Sequence, residues 1–278
     1  MTIAIALATY EGVVFGCDSA AAVGDASSNP PGQVVQIFNA AQKIFEIGPA
    51  NQQFIAGSSF SGMFMTDGNG FFGPFSWRDI VNKFYVESAQ DLKYGDDVAQ
   101  CFSDFATREW ARLKTLNLVS ATASLPHSKI MLAIIPKGST EIVAATVECS
   151  DGSNKHPITH MVSPGWAFGG LSETVGRLID GYDPRIKKHL IANGVAESLI
   201  DAAAESCDER PLTKFIPLRD AIGMVHWLVY STIQAHRFKD AGPLVAGDIE
   251  IATLTTDRGF RWAIHKSLTS GIIPRSMG

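Results

Sequence analysis

With 278 residues, 23 Lys plus Arg against 28 Asp plus Glu and a formal net charge of −5, the chain lacks the basic excess that marks a nucleic-acid-binding surface. Its four cysteines, Cys17, Cys101, Cys149 and Cys207, lack the paired spacing of a metal site and read as free thiols in a reducing compartment, with the cytoplasm as the default. No Pro/Ser/Gly linker divides the sequence and no internal repeat recurs, so residues 1–278 are expected to form one domain.

Taken from the start, Thr2-Ile3-Ala4-Ile5-Ala6-Leu7-Ala8 predicts a strand, Thr9 to Gly12 a turn, and Val13 to Asp18 a returning strand. Antiparallel return brings Asp18 beside Thr2. With Met1 removed, Thr2 carries a hydroxyl nucleophile and a free α-amine on one residue, which points to acyl-transfer chemistry. Ile3, Ile5 and Leu7 share one face and Ala4, Ala6 and Ala8 the other, so both faces are expected to be covered. A secretory signal is the rival reading of this run, but no Lys or Arg precedes it and Tyr10-Glu11-Gly12 interrupts it.

The Gly/Ser/Asn/Pro-rich stretch from Val23 to Gln36 reads as a loop. A second hairpin follows, with Lys43 to Ile47 as one strand, Gly48 to Gln52 as the turn and Gln53 to Gly57 as the return, which sets Lys43 opposite Gly57. If the two hairpins lie side by side, a nucleophile, a carboxylate, a cation and an exposed backbone N–H converge. Taken singly, a surface lysine and a loop glycine are the better readings of Lys43 and Gly57.

Helical spacing over Phe75 to Leu118 predicts two helices in an extended helical region spanning roughly residues 70–120. Strands are expected at Ile130 to Ile135, Ile142 to Val147 and His160 to Phe168, the last ahead of Gly169-Gly170. Helices are expected at Glu173 to Ile179, Val195 to Cys207 and Pro217 to about Phe238, and final strands at Asp248 to Leu254 and Gly259 to Ile264. The apolar run Ala221 to Tyr230 is too short to cross a bilayer.

Three local patterns carry little. Gly68 to Gly73 matches G-x-G-x-x-G, but Pro74 follows and no βαβ unit surrounds it. His156 and His160 are separated by Pro157 and lack the glutamate of a zinc-protease helix. Phe71, Phe72, Phe75 and Trp77 suit a packing patch, or a contact between subunits.

Thr2, Asp18-Ser19, Gln42-Lys43-Ile44-Phe45 and Ala56-Gly57-Ser58, in that order, resemble the proteasome β-subunit family of N-terminal nucleophile hydrolases, including its bacterial branch. The resemblance implies an α+β chain folded as a four-layer αββα sandwich, with which the order of strands and helix pairs agrees. It implies a threonine-type peptidase needing no cofactor or metal, in a closed ring of identical subunits that takes peptides or unfolded protein, with an ATP-dependent unfoldase as a possible partner. Thr2 would be the nucleophile, Lys43 the cation held by Asp18, and the Gly57 N–H the oxyanion donor. Ala21, Ala41 and Ile55 fall near the family's specificity pocket, which suggests an apolar P1 side chain.

The C-terminal half departs from the family's pattern. The position of its supporting serine falls at Gly170, with Ser172 two residues on. Asp240 is the nearby candidate for its supporting aspartate, and Ala246-Gly247-Asp248 offers no serine. A catalytically silent ring or scaffold subunit is therefore the alternative expectation.

Overall fold

The computed structural model describes residues 2–25, 33–38, 41–48, 53–68, 71–93, 95–125, 127–149, 157–206, 215–238 and 245–266. Its first element is the expected hairpin, β1 (Ile3–Ala8) and β2 (Val13–Asp18), with every residue of both strands buried. The register runs from Ala4 opposite Cys17 to Ala8 opposite Val13. Thr9 closes the turn: its N–H and hydroxyl donate to the Gly12 carbonyl at 2.8 and 3.0 Å, and its oxygen accepts from the N–H groups of Glu11 and Gly12. A hydroxyl that bonds its own backbone locally suits such a turn.

Next come β3 (Ala21–Asp25) and β4 (Gln33–Phe38), which pair antiparallel. The stretch read as a loop thus holds a hairpin; its Ser, Asn and Pro residues fall between the two strands, outside the described residues. β5 (Ile44–Ile47) pairs with β6 (Ser61–Thr66) in a register that sets Ile44 opposite Met65 and Ile47 opposite Gly62. The return strand expected at 53–57 does not form. Instead the Ile55 carbonyl accepts the N–H groups of Ser58 and Ser59 in a turn.

The short hairpin β7 (Phe71–Phe72) and β8 (Phe75–Ser76) leads into α1 (Trp77–Glu87), whose start is fixed by a reciprocal Ser76–Asp79 capping box. α2 (Val98–Thr115) begins on an Asp97 cap and ends with Arg112 and Lys114 in its last turn, complementing the helix dipole. β9 (Ser128–Ile135) and β10 (Val143–Cys149) form a hairpin. The single strand expected over His160–Phe168 is in fact two, β11 (Ile158–His160) and β12 (Gly165–Gly170), which belong to different sheets. After them come α3 (Glu173–Asp180), α4 (Pro184–Ala192), α5 (Glu197–Ser206), α6 (Leu218–Arg237), β13 (Ile249–Thr255) and β14 (Gly259–Ile264). α4 was not foreseen, although Asp183 caps it and Pro184 opens it.

Two five-stranded antiparallel sheets result, ordered β12-β1-β2-β13-β14 and β11-β10-β9-β6-β5. The alternation of β1 decides which side chain goes where. Ala4, Ala6 and Ala8 pack with Phe15 and Leu254 against Met63, Met65, Met131 and Ile135 of the other sheet. Ile3, Ile5 and Leu7 face α3 and α6 through Val175, Ile179, Val225 and Leu228. On the second sheet, Phe64, Leu132 and Ile134 pack with Trp77, Phe84, Phe102 and Phe105 of α1 and α2. Each such side chain, fully buried, contributes roughly 1.5–3 kcal/mol. α6 lies so close to β2 that a Cβ on Gly16 would meet a Val225 methyl at 2.3 Å.

Of the aromatic cluster, Phe72 and Trp77 are core, edge-on to each other, while Phe71 is exposed. No helix among the described residues is long and apolar enough to cross a membrane.

Candidate active site

Thr2 precedes β1, Asp18 ends β2 and Lys43 precedes β5, so the first two reach the site from one sheet and the third from the other. All three are buried: Thr2 is 1% exposed, Asp18 0% and Lys43 3%. The Thr2 hydroxyl donates to Asp18 Oδ1, and Lys43 Nζ donates both to Thr2 Oγ1 and, at 2.7 Å, to Asp18 Oδ1. The remaining capacity of the carboxylate is filled by backbone: Ile3 N–H reaches Oδ1 at 3.1 Å, and Ala20 and Ala246 N–H reach Oδ2 at 3.2 and 3.3 Å. A carboxylate removed from water needs this full set, because an unpaired buried charge costs far more than it returns.

The main chain of Thr2 is held separately. Its carbonyl accepts the Leu171 N–H at 2.7 Å. Gly170 just before it has φ +70°, and a Cβ there would lie 2.0 Å from the Thr2 oxygen, so only glycine fits. Gly170 N–H in turn donates to Asp67 Oδ2 at 2.8 Å. Sequence reasoning placed Gly170 at a strand end and at the position of the family's supporting serine, and named Ala246 only within a stretch without a serine; it foresaw neither contact and missed Asp67 and Leu171. The signal for the first two lay in the Thr66-Asp67-Gly68 and Gly169-Gly170 strand ends.

A second buried charge group stands behind the first and was also missed. Glu250, fully buried, pairs in register with Cys17. Lys266 Nζ donates to Glu250 Oε2 at 3.0 Å and to the Ala41 carbonyl at 2.8 Å, while His265 Nδ1 lies 2.8 Å from Glu250 Oε1 with its ring stacked on Trp262. This ties the segment that carries Lys43 to the last strand. Among these charges, burial pushes the Cys17 thiol far above its ordinary range despite the pull of Lys43. Cys17 is therefore a neutral, inert thiol and no rival nucleophile.

The other predicted residues divide. Ala41 lies beside the site, its N–H bonded to the Ser19 carbonyl at 2.8 Å, and Ala21 opens β3 just beyond Asp18. Ser172 sits at the start of α3 without a capping bond and lines a cleft of about 490 Å³ with Lys129, Trp166 and Phe168. Asp240 lies outside the described residues.

Gly57 and Ile55 are not brought to the site. Thr66, not Gly57, lies next to Lys43, its N–H donating to the Lys43 carbonyl at 3.1 Å. The nearest atom to a Cβ on Gly57 is the Thr140 methyl, beyond the Ile135–Ser61 end of the sheet. The six residues of β6 put that end roughly 20 Å away. Ile55, in the same loop, is 62% exposed.

Fold and site together define a mixed α/β protein of antiparallel sheets in which a threonine, a carboxylate and a lysine meet at one strand end. No protein-family model matches the chain, and no curated protein does. Among solved structures it is similar to Anbu (ancestral beta-subunit) from Yersinia bercovieri, with 11% identity and a TM-score of 0.50 over 95% of this chain and 87% of that one. It is likewise similar to the Anbu (Gly-1) mutant from Hyphomicrobium sp. strain MC1, with 11% identity and a TM-score of 0.52 over 94% of this chain and 85% of that one. At this identity the likeness is one of fold alone. The assignment to the proteasome β-subunit family drawn from the N-terminal motifs is thereby corrected: no family model matches, and the likeness to the two Anbu structures is distant.

Proposed function

We propose that the chain is an N-terminal-nucleophile hydrolase with a four-layer αββα sandwich, acting as a threonine-type peptidase through Thr2 once Met1 is removed. The observation that carries the reading is the buried cluster of Thr2, Asp18 and Lys43, in which the hydroxyl is bonded to a carboxylate and to an ammonium. Thr2 Oγ1 attacks the peptide carbonyl, and its proton passes to the Thr2 α-amine, whose ordinary pKa of ~7.7–8.0 suits a base near neutrality. Lys43 favours the neutral amine and the developing alkoxide by its charge. The leaving amine departs with a proton, and water then hydrolyses the ester formed on Thr2. Gly57 takes no part.

In this reading a closed ring of identical chains encloses the site, in the cytoplasm, and admits peptides or unfolded protein. A catalytically silent subunit is the second reading, favoured by the near-complete burial of Thr2 and the remoteness of Gly57. Intact mass combined with a threonine-directed β-lactone separates the two. Loss of methionine together with a single adduct, absent from Thr2→Ala, is the expected result. Retained methionine with no adduct would sink the peptidase reading in favour of the silent one.

A further inference from the structure

We propose that Asp67 is a positioning residue for Thr2, acting through the Gly170–Leu171 peptide; the inference rests on Thr2 being the nucleophile. Asp67 follows β6 and forms no ion pair among the described residues. Its two carboxylate oxygens are instead divided between backbone donors of different sheets. Oδ1 accepts the Lys129 N–H of β9 at 2.6 Å, and Oδ2 accepts the Gly170 N–H of β12 at 2.8 Å. The Asp67 N–H returns a bond to the Lys129 carbonyl at 3.1 Å. One side chain thus clasps both sheets at the end where Thr2 lies.

The clasp reaches Thr2 through a single peptide. Asp67 holds the N–H of Gly170, and the next N–H, that of Leu171, holds the Thr2 carbonyl at 2.7 Å. A shift of Gly170 therefore moves the residue whose hydroxyl and amine must share one geometry, and a displacement of about 1 Å costs on the order of 10²-fold in rate.

The surroundings are shaped to the carboxylate. A Cβ on Gly169 would lie 2.7 Å from Asp67 Cβ and 2.8 Å from Oδ2, and one on Gly68 would lie 2.1 Å from Ser128 Oγ. Ser128 Oγ is buried with no hydrogen-bond partner among the described residues and makes no bond to the Asp67 oxygens. The thiol of Cys149 senses the same charge: burial first, and then Asp67, push it up to about 12. Two N–H groups facing two oxygens call for a group that only accepts, and charge-assisted bonds of this kind are about twice as strong as neutral ones. An amide in its place turns an NH₂ toward one of those N–H groups.

The test uses Asp67→Asn, which keeps the shape, and Asp67→Ala. Amide hydrogen exchange is followed alongside kcat and KM for a fluorogenic peptide and the rate of β-lactone labelling at Thr2. In Asp67→Asn the Gly170 and Leu171 amides should exchange faster while those of β13 and β14 do not change. Labelling and kcat should fall on the order of 10²-fold with KM within about twofold. Unchanged exchange at Gly170 and Leu171 overturns the proposal. So does faster exchange there with labelling and kcat as in the wild type, which would leave Asp67 a structural clasp only. If Asp67→Ala does not fold, Asp67→Asn decides alone. If the wild type neither labels nor hydrolyses, the peptidase reading fails, and the exchange data still decide whether Asp67 holds the peptide that holds Thr2.

Discussion

At one end of the second sheet Lys43 meets Asp18 and Thr2 out of contact with water; at the other, the Glu46 carboxylate stands at the rim of a cavity of about 190 Å³ with Phe54, Ser61, Arg258 and Arg261. Both ends place a carboxylate near a cation. At the first, backbone N–H groups of Ile3, Ala20 and Ala246 complete the shell of Asp18. At the second no such donor among the described residues is bonded to Glu46, and partial burial pushes its carboxyl above the ordinary range although Arg261 pulls it down. A charge near a fold's interior becomes usable chemistry only where the backbone has been arranged to receive it.

The largest expected effect breaks the first end directly. Lys43→Met keeps the stem but removes the countercharge from a buried carboxylate, which should cost about 3–5 kcal/mol in chemical denaturation. Labelling of Thr2 should fall by at least about 10²-fold. Labelling at the wild-type rate would mean that the Lys43 charge takes no part in the chemistry at Thr2.

A smaller effect sharpens the comparison through two glycines of similar backbone. Gly170 has φ +70° and Gly57 φ +73°, but the atom nearest a new Cβ is the Thr2 oxygen at 2.0 Å in one case and a Thr140 methyl at 3.9 Å in the other. Gly57→Ala should cost only the left-handed conformation, about 1–2 kcal/mol, and leave labelling unchanged. Gly170→Ala should cost more and slow labelling as well. Equal labelling in the two variants would dissociate the Gly170 contact from the chemistry.

The smallest effect concerns Glu46. Because its folded carboxyl is raised, the native state binds protons more readily than the unfolded chain, and stability falls as the pH rises through the carboxylate range. Glu46→Gln should therefore raise Tm slightly at pH 7, and the gain should vanish below about pH 4, where the unfolded carboxyl is protonated too. A Tm gain that persists at low pH would point to packing rather than charge.

Much of the near end was legible in the residues. The alternation from Ile3 to Ala8 and the turn residues Thr9 to Gly12 leave one register, and that register sets Asp18 beside Thr2. The second hairpin misled because Gly48-Pro49-Ala50 signals a tight turn and Phe54-Ile55-Ala56 follows as an apolar run. The true return strand, Ser61 to Thr66, is buried along its whole length, so it shows no alternation and offers Ser, Gly and Thr where a strand signal was sought.

Local spacing by itself determined the strands of the first hairpin, the long helix α6 and the last hairpin, and with them the meeting of Thr2 and Asp18; the strand Phe75–Ser76 and the Ser76 cap that starts α1 at Trp77 were not read from it. Only the tertiary structure decided that β6 rather than residues 53–57 lies beside Lys43, that Glu250 and Lys266 brace the Ala41 carbonyl, and that Asp67 reaches Gly170 across the gap between sheets. The physical reason is range: a turn and its two strands are specified by neighbours in sequence, whereas a carboxylate chooses among backbone donors a hundred residues away only after packing has brought both sheets together.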